Sequence, residues 1–179
     1  MVMYTNIKEL VDDAKKKQQS ISELMIQQEI NENQATREEV WQAMEQNLAV
    51  MENAAKKGVT GDGVFSKTGL TGGEAVLLQK YRQEKTTLSG DTMIAAVQNA
   101  IATNEVNAAM GVICATPTAG SSGTLPGILF TITKRLQLNH EQQVRFLFTA
   151  GAFGMVIANN AGIAGATGAP AIPALLAIT

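Results

Sequence analysis

Two stretches of this chain set short hydroxyl side chains among glycines. That pattern lets backbone N–H groups and small side chains converge on a small anion, because no bulky group blocks the approach. The first is Ser66-Lys-Thr-Gly-Leu-Thr-Gly-Gly73, and the second is Thr116-Pro-Thr-Ala-Gly-Ser-Ser-Gly-Thr-Leu-Pro-Gly127. In the second, three threonines, two serines and three glycines crowd around two prolines, more than a linker between buried helices requires. The candidate ligands are Thr68, Gly69, Thr71 and Gly72 in the first loop, and Thr118, Gly120, Ser121, Ser122 and Gly123 in the second. The first loop leads into a helix whose N-terminal end favours a carboxylate or phosphate; its bland reading is a flexible linker. Asn104 and Asn107 lie one turn apart on the helix entering the second loop. They either aim their amides at one point or lie on a solvated helix face. Asn159-Asn160 interrupts an apolar run, so at least one of the two is expected to be buried and hydrogen-bonded, as a structural tie or as a substrate ligand.

Other chemistries fit less well. Gly61-Asp-Gly-Val-Phe-Ser-Lys-Thr68 misses a nucleotide-binding P-loop, which needs glycine where Ser66 stands and a strand before it. Lys67, set among Ser, Thr and Gly, invites a pyridoxal-phosphate Schiff base with a glycine phosphate cup, but the usual hosts alternate strands and helices. His140, among polar residues at a helix start, is expected to be exposed. Cys114, between Ile113 and Ala115, is expected on an apolar helical face as a small buried hydrophobe. One cysteine and one histidine provide no metal-ligand spacing.

The elements that must position these residues read as helices throughout. Ser20-Ile-Ser-Glu23 and Thr36-Arg-Glu-Glu39 are capping boxes. The second opens a run with Val40, Trp41, Met44, Leu48 and Met51 at three- and four-residue steps. Gly58, after Lys56-Lys57, is expected to stop that helix, and a glycine-rich connector follows to Gly73. Helices are expected from about Glu74 to Gln83, from Ser89-Gly-Asp91 through the apolar positions Ile94, Val97, Ile101 and Val106 towards a break at Pro117, and over Ile128-Leu136. Asn139-His-Glu-Gln142 caps a long apolar helix through Ala158. No strand-like alternation and no repeat occurs. The fold expected is all-α: a single helical domain, residues 1–179, with glycine-rich loops between helices.

Composition bounds the rest. At 179 residues the chain is long enough for a real core. Hydrophobic residues reach 45% but aromatics only 4%, so the core rests on Ala, Leu, Ile, Val and Met and favours close helix packing. A net charge of −2 leaves no footprint for nucleic acid. Phe146–Thr179 has no charged side chain, yet Asn159-Asn160, five glycines, Pro170 and Pro173 leave no clean run of about 20 apolar residues. A buried core segment is expected there and no membrane span. A lone cysteine fits a reducing, cytoplasmic compartment, and the charged N-terminus is not a signal peptide.

Several segments together resemble the alpha chain of iron–sulfur-dependent L-serine dehydratase. They are Asn6-Ile-Lys-Glu-Leu10, Met25-Ile-Gln-Gln-Glu29, Thr68-Gly-Leu-Thr-Gly-Gly73, Ala102-Thr-Asn-Glu-Val-Asn-Ala-Ala-Met110, Ile113-Cys-Ala-Thr-Pro-Thr-Ala-Gly-Ser121, Arg145-Phe-Leu-Phe-Thr-Ala-Gly-Ala-Phe-Gly154 and Ala158-Asn-Asn160. The resemblance implies an all-helical catalytic domain and deamination of L-serine to pyruvate and ammonia, within amino-acid catabolism and gluconeogenesis. It implies a 4Fe-4S cluster whose open iron acts as Lewis acid, and a separate regulatory beta chain as partner. Both glycine loops, with Asn160, would then bind the substrate; no proton-abstracting base is indicated.

The resemblance also implies three cluster cysteines that this chain lacks. Pro170 stands where the first is expected, in Gly162-Ile-Ala-Gly-Ala-Thr-Gly168 and the residues after it. The chain therefore reads as a truncated or divergent alpha chain, inactive by itself. Its uncharged, Pro-broken tail is expected to expose an apolar patch or to need an oligomeric partner. The alternatives are a non-catalytic helical interaction protein on the same scaffold, and a pyridoxal-phosphate lyase using Lys67.

Overall fold

A computed structural model describes residues 4–84, 87–116 and 121–160. Among them are seven helices and no strand: α1 (Ile7–Lys17), α2 (Ile21–Asn33), α3 (Arg37–Thr60), α4 (Glu74–Glu84), α5 (Asp91–Ala108), α6 (Ser121–Leu136) and α7 (His140–Asn160). The all-α expectation holds. The helices fall into two compact units, with α3 giving its residues up to Leu48 to the first and those from Ala49 to the second.

The first unit holds α1, α2 and α7 with the start of α3. Local signals set its helix ends. Ser20 Oγ accepts from Glu23 N–H at 3.2 Å. Thr36 and Glu39 close a full capping box: Glu39 N–H donates to Thr36 Oγ1 at 3.2 Å, and Thr36 N–H donates to Glu39 Oε2 at 2.8 Å. Asn139 and Gln142 do the same at the start of α7, both at 2.9 Å. Large side chains form the core, among them Leu10, Ile26, Met44, Leu48, Leu147 and Phe148, all buried. The Trp41 and Phe148 rings pack with centroids 6.0 Å apart, and the Arg145 guanidinium lies 5.6 Å from the Trp41 centroid. Glu23 takes Arg37 at 2.5 and 2.8 Å and Arg145 at 3.4 Å. The Arg37 hydrogen bonds, with help from Gln27 and Arg145, hold its carboxyl down at about 2.

The second unit holds the rest of α3 with α4, α5 and α6. Here the expected boundaries move. Gly58 does not stop α3: the helix runs on to Thr60, and Gly61, at φ 82°, ends it. Gly58 instead lies against α5, where a side-chain carbon would fall on Ala102. The same logic draws α6 in close. It begins at Ser121, seven residues before Ile128, and carries Gly123, Pro126 and Gly127 inside it. A carbon on Gly127 would come within 2.7 Å of the Ala96 carbonyl oxygen. Sequence reasoning takes these glycines for loop residues because a close helix crossing and a turn ask for the same residue type.

The face of α5 also departs from its apolar pattern. Val106 is buried, but Val97 is exposed and Ile94 and Ile101 only partly covered. Its buried positions are Gln98, Ala102, Thr103, Glu105 and Val106. The helix ends at Ala108, before Pro117, with Met110 at φ 65° and the Gly111 N–H on the Val106 carbonyl at 2.8 Å. Cys114 is therefore buried as expected, but in irregular chain and not on a helical face. Among the described residues no helix is long and apolar enough to cross a membrane; the tail from residue 161 lies outside them.

Candidate functional site

The first glycine loop is a closed turn fed by the end of α3. Val64 is buried and anchors it, while Phe65 and Leu70 are exposed. Ser66 N–H donates to the Thr71 carbonyl at 3.0 Å, and Gly69 N–H to the Ser66 carbonyl at 2.9 Å. The hydroxyls of Ser66 and Thr68 lie 3.1 Å apart, and Thr71 N–H reaches Ser66 Oγ at 3.3 Å. Gly69 takes φ 69° and Gly72 φ 139°. A side chain on Gly72 would also meet the Val64 carbonyl at 2.7 Å, so close approach and backbone conformation both require glycine there.

The loop delivers the N-terminus of α4, and an acidic side chain sits on it. It is the protein's own Glu105 carboxyl, reaching across from α5. Glu74 N–H donates to Glu105 Oε1 at 2.6 Å, with the Ala75 N–H beside it. The Glu74 side chain turns back onto the loop and takes the Gly72 N–H at 2.9 Å. Glu105 is 4% exposed, and its Oε2 is buried with no hydrogen-bond donor among the described residues. Burial and the Glu74 carboxyl beside it push Glu105 up to about 7. Glu74 moves the other way, lowered by its contact with Glu105 and by the amides it accepts.

The second loop reaches the same turn of α5. Thr118 and Gly120 lie outside the described residues, so only the loop's flanks are placed. Ser122 and Gly123, in the first turn of α6, are buried, and Ser121 is partly covered. A side-chain carbon on Gly123 would fall against the Ala100 carbonyl and come within 2.9 Å of Asn104 Oδ1. That Oδ1 is buried and has no hydrogen-bond partner among the described residues. Asn107, its companion in the sequence pattern, is exposed. Two neighbouring residues of α5 thus face the starts of two loop-fed helices: Asn104 faces α6, and Glu105 holds α4.

The family model described as serine dehydratase alpha chain matches residues 16–174, past Asn160 where the sequence departs from the expected motif. The chain belongs to the serine dehydratase alpha-chain family. It is 55% identical over 166 residues to the "Probable L-serine dehydratase, alpha chain" of Bacillus subtilis, covering 93% of this chain and 55% of that one. A Latilactobacillus sakei protein of the same description is 74% identical over 78 residues, 44% of this chain and 37% of its own. The "L-serine dehydratase, alpha chain" of Peptoniphilus asaccharolyticus is 31% identical over 166 residues, 93% of this chain and 56% of its own. The chain spans about half the length of the curated relatives that it matches most fully. No solved structure matches it.

The other candidates of this serine dehydratase alpha-chain stretch are placed one by one. Lys67 is exposed on the first loop and Thr68 and Thr71 are exposed beside it. Asn160 belongs to the first unit, where its amide donates to the Thr5 carbonyl at 2.6 Å and to the Val156 carbonyl at 2.8 Å. Contrary to the burial expected for one of the pair, Asn159 and Asn160 are both exposed, as the last two residues of α7. His140 is exposed as expected and bonds Glu45 at 2.9 Å. A 4Fe-4S cluster does not fit the thiols present: Cys114 is the one cysteine of the chain, and burial pushes it up to about 11. Glu105 is the residue that sequence reasoning passed over. Its signal was the one acidic side chain of α5 beyond its first residue, on the turn that carries Ala102 and Val106.

Proposed function

We propose that this chain binds L-serine for deamination to pyruvate and ammonia, as the loop-bearing part of a serine dehydratase alpha chain. The supporting observation is the α5 turn at Asn104–Glu105, which lies against the starts of two helices, each fed by a glycine- and hydroxyl-rich loop. The donors at the start of α6, among Ser121, Ser122 and Gly123, suit the substrate carboxylate. Asn104 Oδ1, a buried acceptor lacking a donor, suits the α-ammonium group. Thr68 and Thr71 supply hydroxyls from the first loop, with Gly69 and Gly72 keeping its backbone open. Thr118, Gly120 and Asn160 complete the set on the strength of the family resemblance.

The cluster implied by that resemblance supplies Lewis-acid polarisation of the serine hydroxyl when bound. One buried thiol cannot hold it, so we assign these 179 residues substrate binding and not the elimination step. A regulatory beta chain, a cytoplasmic setting and an oligomeric assembly belong to the same proposal. So does placing residues 1–179 in the N-terminal part of the alpha-chain catalytic domain.

Titrating L-serine into the isotope-labelled chain tests this. Amide shifts centred on Asn104, Ser122 and Gly123, with D-serine weaker, are the expected result. L-serine leaving those signals unmoved overturns the reading. Anaerobic iron–sulfur reconstitution of the same chain is expected to give no charge-transfer absorbance and no pyruvate.

A further inference from the structure

Glu105 does more than fill a helix end. An exposed carboxylate would serve to cap α4, and Glu74 in the first turn already provides a negative side chain there. Glu105 instead comes from another helix, is buried, and spends only one oxygen on the α4 amides. Glu74, freed from capping, takes the Gly72 N–H at 2.9 Å. Gly72 is the residue whose backbone lies closest on Val64 and Phe65, so its amide orientation sets the shape of the loop's last turn. Glu105, Glu74 and Gly72 form one chain of contacts from the middle of the unit out to the loop.

We propose that Glu105 is the positioning residue of the Thr68–Gly73 loop, clamping α4's first amides and, through Glu74, Gly72, so that the loop presents a set shape to a carboxylate-bearing amino acid. The last part rests on the L-serine reading above. Protonation tunes the clamp, because burial and the neighbouring Glu74 carboxyl raise Glu105. When Glu105 ionises, its buried carboxylate faces that of the exposed Glu74 and the grip loosens. Among the described residues no cation compensates them: Arg82 is committed to Asp91 and Gln98, and Arg135 bonds Thr92. Lys56, Lys57, Lys67, Lys80 and Lys134 are exposed.

Hydrogen exchange on the full chain, read residue by residue, tests this. In Glu105→Ala, protection at Gly72, Glu74 and Ala75 is expected to fall at least ~10-fold, the loss of a charge-assisted hydrogen bond, while α7 stays as in wild type. Glu105→Gln keeps an acceptor for the Glu74 amide, so it is expected to restore protection but abolish its dependence on pH. Wild-type protection at these amides is expected to drop as pH rises through about 7. Unchanged exchange in Glu105→Ala, or a flat wild-type pH profile, overturns the proposal. Should the alanine variant fail to fold, the wild-type and glutamine profiles decide alone. L-serine affinity measured on the same variants separates the two readings. Loosened exchange with affinity also lowered supports both; loosened exchange with unchanged affinity supports the clamp and removes the loop from the serine site.

Discussion

The two units bury different things. The first packs large apolar side chains such as Phe148, Leu147 and Met44 around a few buried polar ones (Ser22, Glu29, Asn47 and Gln143), and keeps its ion pairs towards the surface, as in Glu23 with Arg37 and Arg145. The second buries Gln98, Thr103, Glu105, Ser122 and Thr131 between helices that touch through glycine and alanine, and leaves Phe65, Leu70 and Leu77 exposed. Apolar burial is the usual source of stability, and buried polar groups cost unless they are paired. The first unit thus holds its helices by filling space. The second holds them by close approach, which leaves polar groups ordered around α5, and there the candidate site lies.

Substitutions test that contrast most sharply where each unit is densest. Phe148→Ala removes a fully buried ring from the first unit and is expected to cost about 3–5 kcal/mol in denaturant unfolding. Gly58→Ala only adds a methyl group, yet that carbon has no room beside Ala102; a loss of about 2–3 kcal/mol is expected. If the alanine is neutral, close approach does not hold the second unit together.

Acid and base should act on Glu23 and Glu105 in opposite senses. Glu23, held at about 2 by its arginines, lies below the ordinary glutamate value of 4.5. Its contribution is present above 4.5 and lost as pH falls towards 2. Glu105 is raised to about 7, so the folded state holds its proton more tightly than the unfolded chain does. That contribution is complete below 4.5 and is lost as pH rises through about 7. Stability curves of Arg37→Ala should lose part of the acid limb, and those of Glu105→Gln part of the slope between pH 4.5 and 7. Identical slopes for Glu105→Gln and wild type would break the contrast.

Gly154→Ala gives the smallest effect and the opposite sign to Gly58→Ala. Among the described residues nothing lies within 4 Å of the added carbon, and the residue is inside α7. A gain of about 0.5–1 kcal/mol in thermal or denaturant unfolding is expected from helix propensity alone.

Much of this was legible from short-range patterns. The Thr36–Glu39 and Asn139–Gln142 caps depend on groups within a few residues of one another. So do the two glycine loops as candidate sites, and the family resemblance, which is carried by contiguous segments. The readings that moved all involve a partner far along the chain. Gly58 looked like a stop because its partner, Ala102, is not visible from its neighbours. Gly123 and Gly127 looked like loop because Ala96, Ala100 and Asn104 were not known to lie against them.

The sequence by itself determined the helical elements, their caps, the two hydroxyl-rich loops and the absence of a thiolate set, since hydrogen bonding within a turn and residue counts need no third dimension. Only the tertiary structure decided which α5 residue faces which loop. Asn104 and Glu105 are neighbours in the chain, but a helix turns about 100° per residue, so one meets α6 and the other meets α4. It also decided the state of Glu105, because burial and a second carboxyl from another helix, not its own neighbours, set where its proton resides.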